Sequence, residues 1–117
     1  MINTNGKRVF LACGATDMRK NINGLAAIIE GGFKLNPFSG ALFVFCNRNR
    51  NRVKIVEWDG DGFWLYFKRL ERGNFKWPAA SAESTMDMTG EELTILLSGN
   101  RINLKLKRET ITERKII

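Results

Sequence analysis

The chain has 117 residues, 44% of them apolar, a formal net charge of +7 at pH 7 and no histidine. That length supports one hydrophobic core and leaves too little for two, and the apolar content excludes a disordered chain. The missing histidine removes the commonest neutral-pH base, Ser-His and Cys-His nucleophile pairs and most catalytic zinc sites.

No apolar run approaches the roughly 18 residues of a membrane span. The polar start, MINTNGKR, lacks the apolar stretch of a secretory signal, so a cytoplasmic protein with no membrane partner is expected. Cys13 and Cys46 each adjoin apolar residues and read as buried free thiols.

In chain order, Val9 to Cys13 is a short apolar run ended by Gly14 and reads as a strand. A helix over residues 17–30 follows, with Thr16 or Asp17 as its cap. Its buried stripe is Met18, Ile22, Leu25, Ala26 and Ile29, and Gly31-Gly32 supplies the stop. Arg19 and Lys20 lie in its first turn, where the helix dipole disfavours cations. Asn36 to Gly40 is a turn cluster, and residues 41–46 are a nearly continuous apolar run suited to a strand covered on both faces. A loop over 47–51 then joins that strand to an antiparallel one at 52–58. Asp59-Gly60-Asp61-Gly62 closes the firmest element, a hairpin into residues 63–70. Alternation sends Phe63, Leu65 and Phe67 to one face, and Trp64, Tyr66 and Lys68 to the other. Residues 79–87 show little reason to form a long element. Thr89 and Glu92 make a capping box for a short helix over 89–98, stopped by Gly99. Ile102, Leu104 and Leu106 alternate with polar residues in a half-buried strand pattern.

The chain therefore reads as one α+β domain over residues 1–117, with its core at about 7–107 and a flexible basic tail at 108–117. An antiparallel sheet with the central Asp-Gly hairpin packs against one longer N-terminal helix and one short C-terminal helix.

Chemistry-bearing residues are concentrated between residues 42 and 78. Arg48, Arg50, Arg52 and Lys54 recur at every second position, with asparagines between the first three, and Arg69 and Arg72 add a further basic patch. Arginine forks match phosphate oxygens, so these six are the candidate nucleic-acid-binding residues. Trp58, Trp64, Tyr66 and Trp77 are candidate stacking platforms, or anchors of a protein interface. Arg19, Lys20, Lys105, Lys107 and Arg108 form a secondary basic surface. Asp59 and Asp61 are explained by the turn, Asp17 by a cap. No catalytic residues, metal ligands or cofactor are assigned, and no phosphate loop occurs.

Several ordered blocks carry a family resemblance. They include Phe10-Leu11-Ala12-Cys13-Gly14, Thr16-Asp17-Met18-Arg19-Lys20, Pro37-Phe38-Ser39-Gly40 and Phe43-Val44-Phe45-Cys46-Asn47-Arg48. Trp58 to Trp64, Lys68-Arg69-Leu70-Glu71 and Trp77-Pro78 continue the pattern. Together they resemble the accessory protein of the insertion-sequence sixty-six family. This is the TnpB-like second open reading frame of those bacterial elements, not the RNA-guided nuclease of the same name. The resemblance implies a non-catalytic protein that assists transposition beside a separate transposase, with DNA as the expected partner of the basic surface. An adapter docking on the transposase without touching DNA is the alternative. A metal-dependent nuclease is remote and would need Asp17, Asp59, Asp61 or Glu71 to converge. The oligomeric state is not given by the sequence.

Overall fold

The computed structural model describes residues 2–78 and 82–99. Five strands form one sheet: β1 (Val9–Ala12), β2 (Leu42–Cys46), β3 (Arg52–Trp58), β4 (Phe63–Arg69) and β5 (Thr85–Met88), in the spatial order β4-β3-β2-β1-β5. Two helices, α1 (Ile22–Ala27) and α2 (Gly90–Leu97), complete an α+β fold. Three of the four strand pairings are antiparallel, as expected. The β1–β2 pair is parallel, with Val9 opposite Leu42, because the helical crossover between them returns the chain in the same direction.

All five residues of β2 are fully buried, so both faces of the sheet must be covered. One face carries Val9, Leu11, Leu42, Val44, Cys46, Val53 and Ile55, packed with Phe75, Leu93 and Leu96. The other carries Phe10, Ala12, Phe43, Phe45 and Val56, packed with Leu25 and Ile29. The first is the α2 face and the second the α1 face. Burying each aliphatic side chain contributes about 1.5–3 kcal/mol, so the two layers dominate stability.

The N-terminal helix differs from the expected one. It begins at Ile22 rather than near residue 17, and its N-cap, Asn21, makes no side-chain cap bond. Asp17 instead closes a local turn by accepting from the Arg19 backbone N–H at 2.9 Å. The physical cause lies 34–36 positions away in the chain. Lys54 donates from Nζ to the carbonyls of Met18 at 2.7 Å and Lys20 at 2.9 Å, which takes up oxygens that a longer helix would have used. Asn21, Asn23 and Gly24 offer little intrinsic helicity to resist this. The stripe survives, with Leu25 and Ile29 wholly buried. At its far end the helix widens into a π turn over Ile28–Gly32, where the Phe33 N–H reaches the Ile28 carbonyl at 2.9 Å. The chain leaves it through Lys34, whose φ is +59°.

Strand β5 falls in a segment that showed little reason to form a long element. It has only four residues, and Met86 and Met88 point into the α2 layer while Thr85 and Asp87 do not. The expected strand at Ile102, Leu104 and Leu106 and the basic tail lie outside the described residues.

Helix α2 matches its expected start. Thr89 N–H donates to Glu92 Oε1 at 2.8 Å, and Glu92 N–H donates to Thr89 Oγ1 at 3.1 Å, which closes the capping box. Gly99, at φ +87°, ends it. Gly90 is needed for another reason: a Cβ there would lie 2.3 Å from the Thr4 carbonyl oxygen and 2.9 Å from Thr4 Cβ. Gly90→Ala should therefore force the N-terminal segment off α2 and cost about 1–3 kcal/mol in thermal unfolding. Gly31→Ala, which meets nothing within 4 Å, should stay within about 0.5 kcal/mol of the parent.

Candidate nucleic-acid interface

The loop between β2 and β3 is shaped by Asn47. Its Oδ1 accepts from the backbone N–H groups of Asn51 and Arg52, both at 3.0 Å, and its Nδ2 donates to Asn51 Oδ1 at 2.7 Å. Asparagine suits this work because its amide mimics a backbone turn. Asn47 and Asn51 are thus internal clamps and not a ligand-facing pair. The clamp leaves Arg48 exposed and sends Arg50 inward at φ +59°. The Arg50 guanidinium lies 5.6 Å from the Trp77 ring centroid and donates to the Gly14 carbonyl at 3.3 Å. Trp77 in turn donates from Nε1 to the Ala12 carbonyl at 3.1 Å.

The segment after β4 runs beside this loop. Leu70 N–H donates to the Asn51 carbonyl, Phe75 N–H to the Arg50 carbonyl, and Asn74 Nδ2 to the Asn49 carbonyl. Arg48, Arg52, Arg69 and Arg72 are thereby gathered at one end of the sheet. Register places Arg52 directly opposite Arg69 and Lys54 opposite Phe67, all on the α1 face. Like charges placed opposite repel, a local cost expected where a surface awaits an anion. Glu71 offsets part of it, accepting from Arg69 Nε at 2.7 Å. Among the described residues, no acidic side chain pairs with Arg48, Arg52 or Arg72.

A shallow groove of about 530 Å³ opens here, lined by Met18, Arg19, Arg52, Lys54 and Phe67. Arg19 is almost fully exposed while bonded to Asp17, whose carboxyl it holds well below the usual carboxylate range. Lys20 is exposed nearby, whereas the Lys54 ammonium is occupied by the carbonyls of residues 18 and 20. Of the six cations first singled out, Arg50 and Lys54 therefore have internal partners and the other four face outward. Lys105, Lys107 and Arg108 lie outside the described residues.

The aromatics divide differently from the simple expectation. Trp58 packs edge-on against Phe38 and Phe63, with centroids 5.0 Å apart in each case. Trp64 is 55% exposed and stacks on Tyr66 at 6.1 Å, but on the α2 face and at the acidic end of the hairpin. Its indole donates to Asp59 Oδ2, and this bond is the main cause that lowers the Asp59 carboxyl. The aromatic among the cations is Phe67, 55% exposed between Lys54 and Arg69. Sequence reasoning passed over Phe67, although the period-two alternation already set it on the face shared with Arg69.

Elsewhere the polar chemistry is internal. Glu57, only 4% exposed, accepts from Tyr66 Oη at 2.8 Å and pairs with Lys7. Cys13 and Cys46 are free thiols, both pushed up chiefly by burial. Among the described residues no three His, Cys, Asp or Glu side chains gather to hold a metal ion. In the same residues no helix is long and apolar enough to cross a membrane.

Tyr66 is the chain's one tyrosine, which makes its environment directly readable. Burial, then the hydrogen bond and charge of Glu57, push its phenol from 10.0 up to about 12. The folded value lies above the unfolded one, so the contribution to stability is intact below pH 10.0 and fades as pH rises towards about 12. Ultraviolet titration of the folded chain should show the phenolate appearing near that higher value, and Glu57→Gln should move the midpoint back down. Tyr66→Phe should remove Tyr66's share of the alkaline dependence of stability in that window.

The model of the family described as IS66 Orf2 like protein matches residues 7–107. The uncharacterized protein y4hO of Sinorhizobium fredii is 42% identical over 92 residues, covering 79% of each chain. A second protein of that organism, the uncharacterized protein y4jC, is 33% identical over 94 residues and 80% of each chain. No solved structure matches. The matched span contains every described strand and both helices together with the arginine end of the sheet, and on these grounds the chain belongs to the IS66 Orf2-like family, a group of transposition-associated accessory proteins.

Proposed function

We propose that this chain is a non-catalytic accessory protein of bacterial insertion-sequence transposition that binds DNA through the arginine end of its sheet. The observation that carries this reading is the gathering of Arg48, Arg52 and Arg72, with no acidic partner among the described residues, beside Arg69 and Arg19. Phosphate oxygens are the ligands that such forks accept. The acids of the hairpin turn, Asp59 and Asp61, stand at the opposite end of the β3–β4 pair, so the molecule presents its positive end first. Phe67, flush with the arginines, supplies a face on which an unpaired base can stack. Its work is to neutralise and position DNA, with the chemical steps left to the transposase.

A second reading rests on Trp64, exposed beside Tyr66 away from the arginines. That patch suits a protein anchor, and an adapter docking on the transposase would use it.

Fluorescence anisotropy with duplex and single-stranded DNA across a salt series separates the two. Three to four phosphate contacts predict a log–log salt slope of roughly −3 to −4 on duplex. Replacing Arg48, Arg52 and Arg72 together by alanine should abolish most of the binding and flatten the slope. Phe67→Ala should weaken single strands more than duplex, and Trp64→Ala should change neither. Absence of binding to both DNAs near physiological salt would contradict direct contact and leave the adapter reading in front.

A further inference from the structure

Strand β4 is the outermost strand of the sheet, and among the described residues nothing pairs with its outer side. It is seven residues long, with Trp64 and Phe67 each 55% exposed on opposite faces. Proteins ordinarily blunt such an edge with charge, proline or a covering segment, because its free N–H and C=O groups are a template for another strand. Here the apolar middle of the strand carries none of these.

The sequence of the strand is self-complementary about Leu65. Trp64 and Tyr66 flank it, then Phe63 and Phe67; in the turn that leads into the strand, Gly62 corresponds to Lys68 and Asp61 to Arg69. Two copies laid antiparallel across a two-fold axis at Leu65 set each Trp64 opposite a Tyr66 and each Phe63 opposite a Phe67. The same register brings each Asp61, in the turn just before the strand, alongside an Arg69. Cross-strand aromatic pairs and opposite charges are the contacts that stabilise such a ladder. The neighbouring register, centred on Tyr66, brings Glu71 against Asp61 and Arg69 against Phe63. Of these two registers, charge favours the one centred on Leu65. Within its own chain Arg69 faces Arg52 across the ladder and pairs with the exposed Glu71 two residues on.

We propose that β4 pairs with β4 of a second copy of this chain, antiparallel and centred on Leu65, making one continuous sheet from two molecules. Arg48, Arg52 and Arg72 take no part in this interface, whereas Phe67 and Arg69 border both it and the proposed DNA surface, so the dimer is tested in the absence of DNA. A two-fold axis makes it isologous, so each charge pair occurs twice.

Sedimentation equilibrium of the full chain tests this without any DNA. A dimer should form reversibly in the micromolar range, as suits a small interface. Arg69→Asp and Asp61→Arg should each raise the dissociation constant about tenfold, since each reversal creates two like-charge pairs. Combining both reversals in one chain restores complementarity and should return the constant to near that of the parent. Both positions are exposed, and circular dichroism checks that the variants fold. A chain that stays monomeric throughout the micromolar range, because its edge is free or covered from within, overturns the proposal. A dimer indifferent to the single reversals, or a double reversal no tighter than the singles, overturns it equally.

Discussion

Strand β2 is dry on both faces, and most of the structure is arranged by that constraint. Five consecutive buried side chains, Leu42 to Cys46, require a layer above and a layer below. Helix α1 supplies one through Leu25 and Ile29, and α2 supplies the other through Leu93 and Leu96. Strict alternation then passes the two-faced character outward through the ladder. Phe43 lies opposite Val56, and Val56 opposite Leu65, on the α1 face. A slip of one residue would exchange the core and solvent sets of every strand, so the register is strongly held.

The same alternation sorts the charges. Arg52, Lys54 and Arg69 follow the parity of Val56 and Leu65 and emerge beyond the end of the α1 layer. Glu57 follows the parity of Ile55 and is drawn into the α2 layer, where Lys7 and Tyr66 satisfy it. What distinguishes one cation from another is the partner it meets. Lys54 finds two backbone carbonyls and becomes a strut between the sheet and the lead-in to α1. Arg50 finds Trp77 and Gly14. Arg48, Arg52 and Arg72 meet no acid among the described residues, so their guanidinium forks stay open.

Local features were readable from the sequence because their causes are local. The Asp59–Gly62 turn closes with the Asp59 N–H on the Gly62 carbonyl at 3.0 Å and Gly60 at φ +104°, a conformation that glycine accepts readily. The capping box of α2 likewise involves residues three apart. The start of α1 was not readable, because Lys54 decides it from far along the chain. Nor was the parallel sense of β1 and β2, which depends on how the crossover packs. Strand β5 hid in four residues whose only signal is Met86 and Met88 at alternate positions. At the candidate site, the arginine repeat marked a segment but could not separate outward from inward side chains. That distinction arises from a left-handed turn at Arg50 and from contacts with Trp77. Tryptophan drew attention to the acidic end of β4, while the exposed ring among the arginines is Phe67.

The division of cations into occupied and open is the claim on which the functional reading stands. Side-chain NMR of the arginine Nε–Hε and lysine ammonium groups during titration with a short duplex observes it directly. Shifts concentrated at Arg48, Arg52 and Arg72, with Arg50 and Lys54 unmoved, are the result expected from the geometry. Equal or larger shifts at Lys54 or Arg50, or no shift at any arginine, would contradict it.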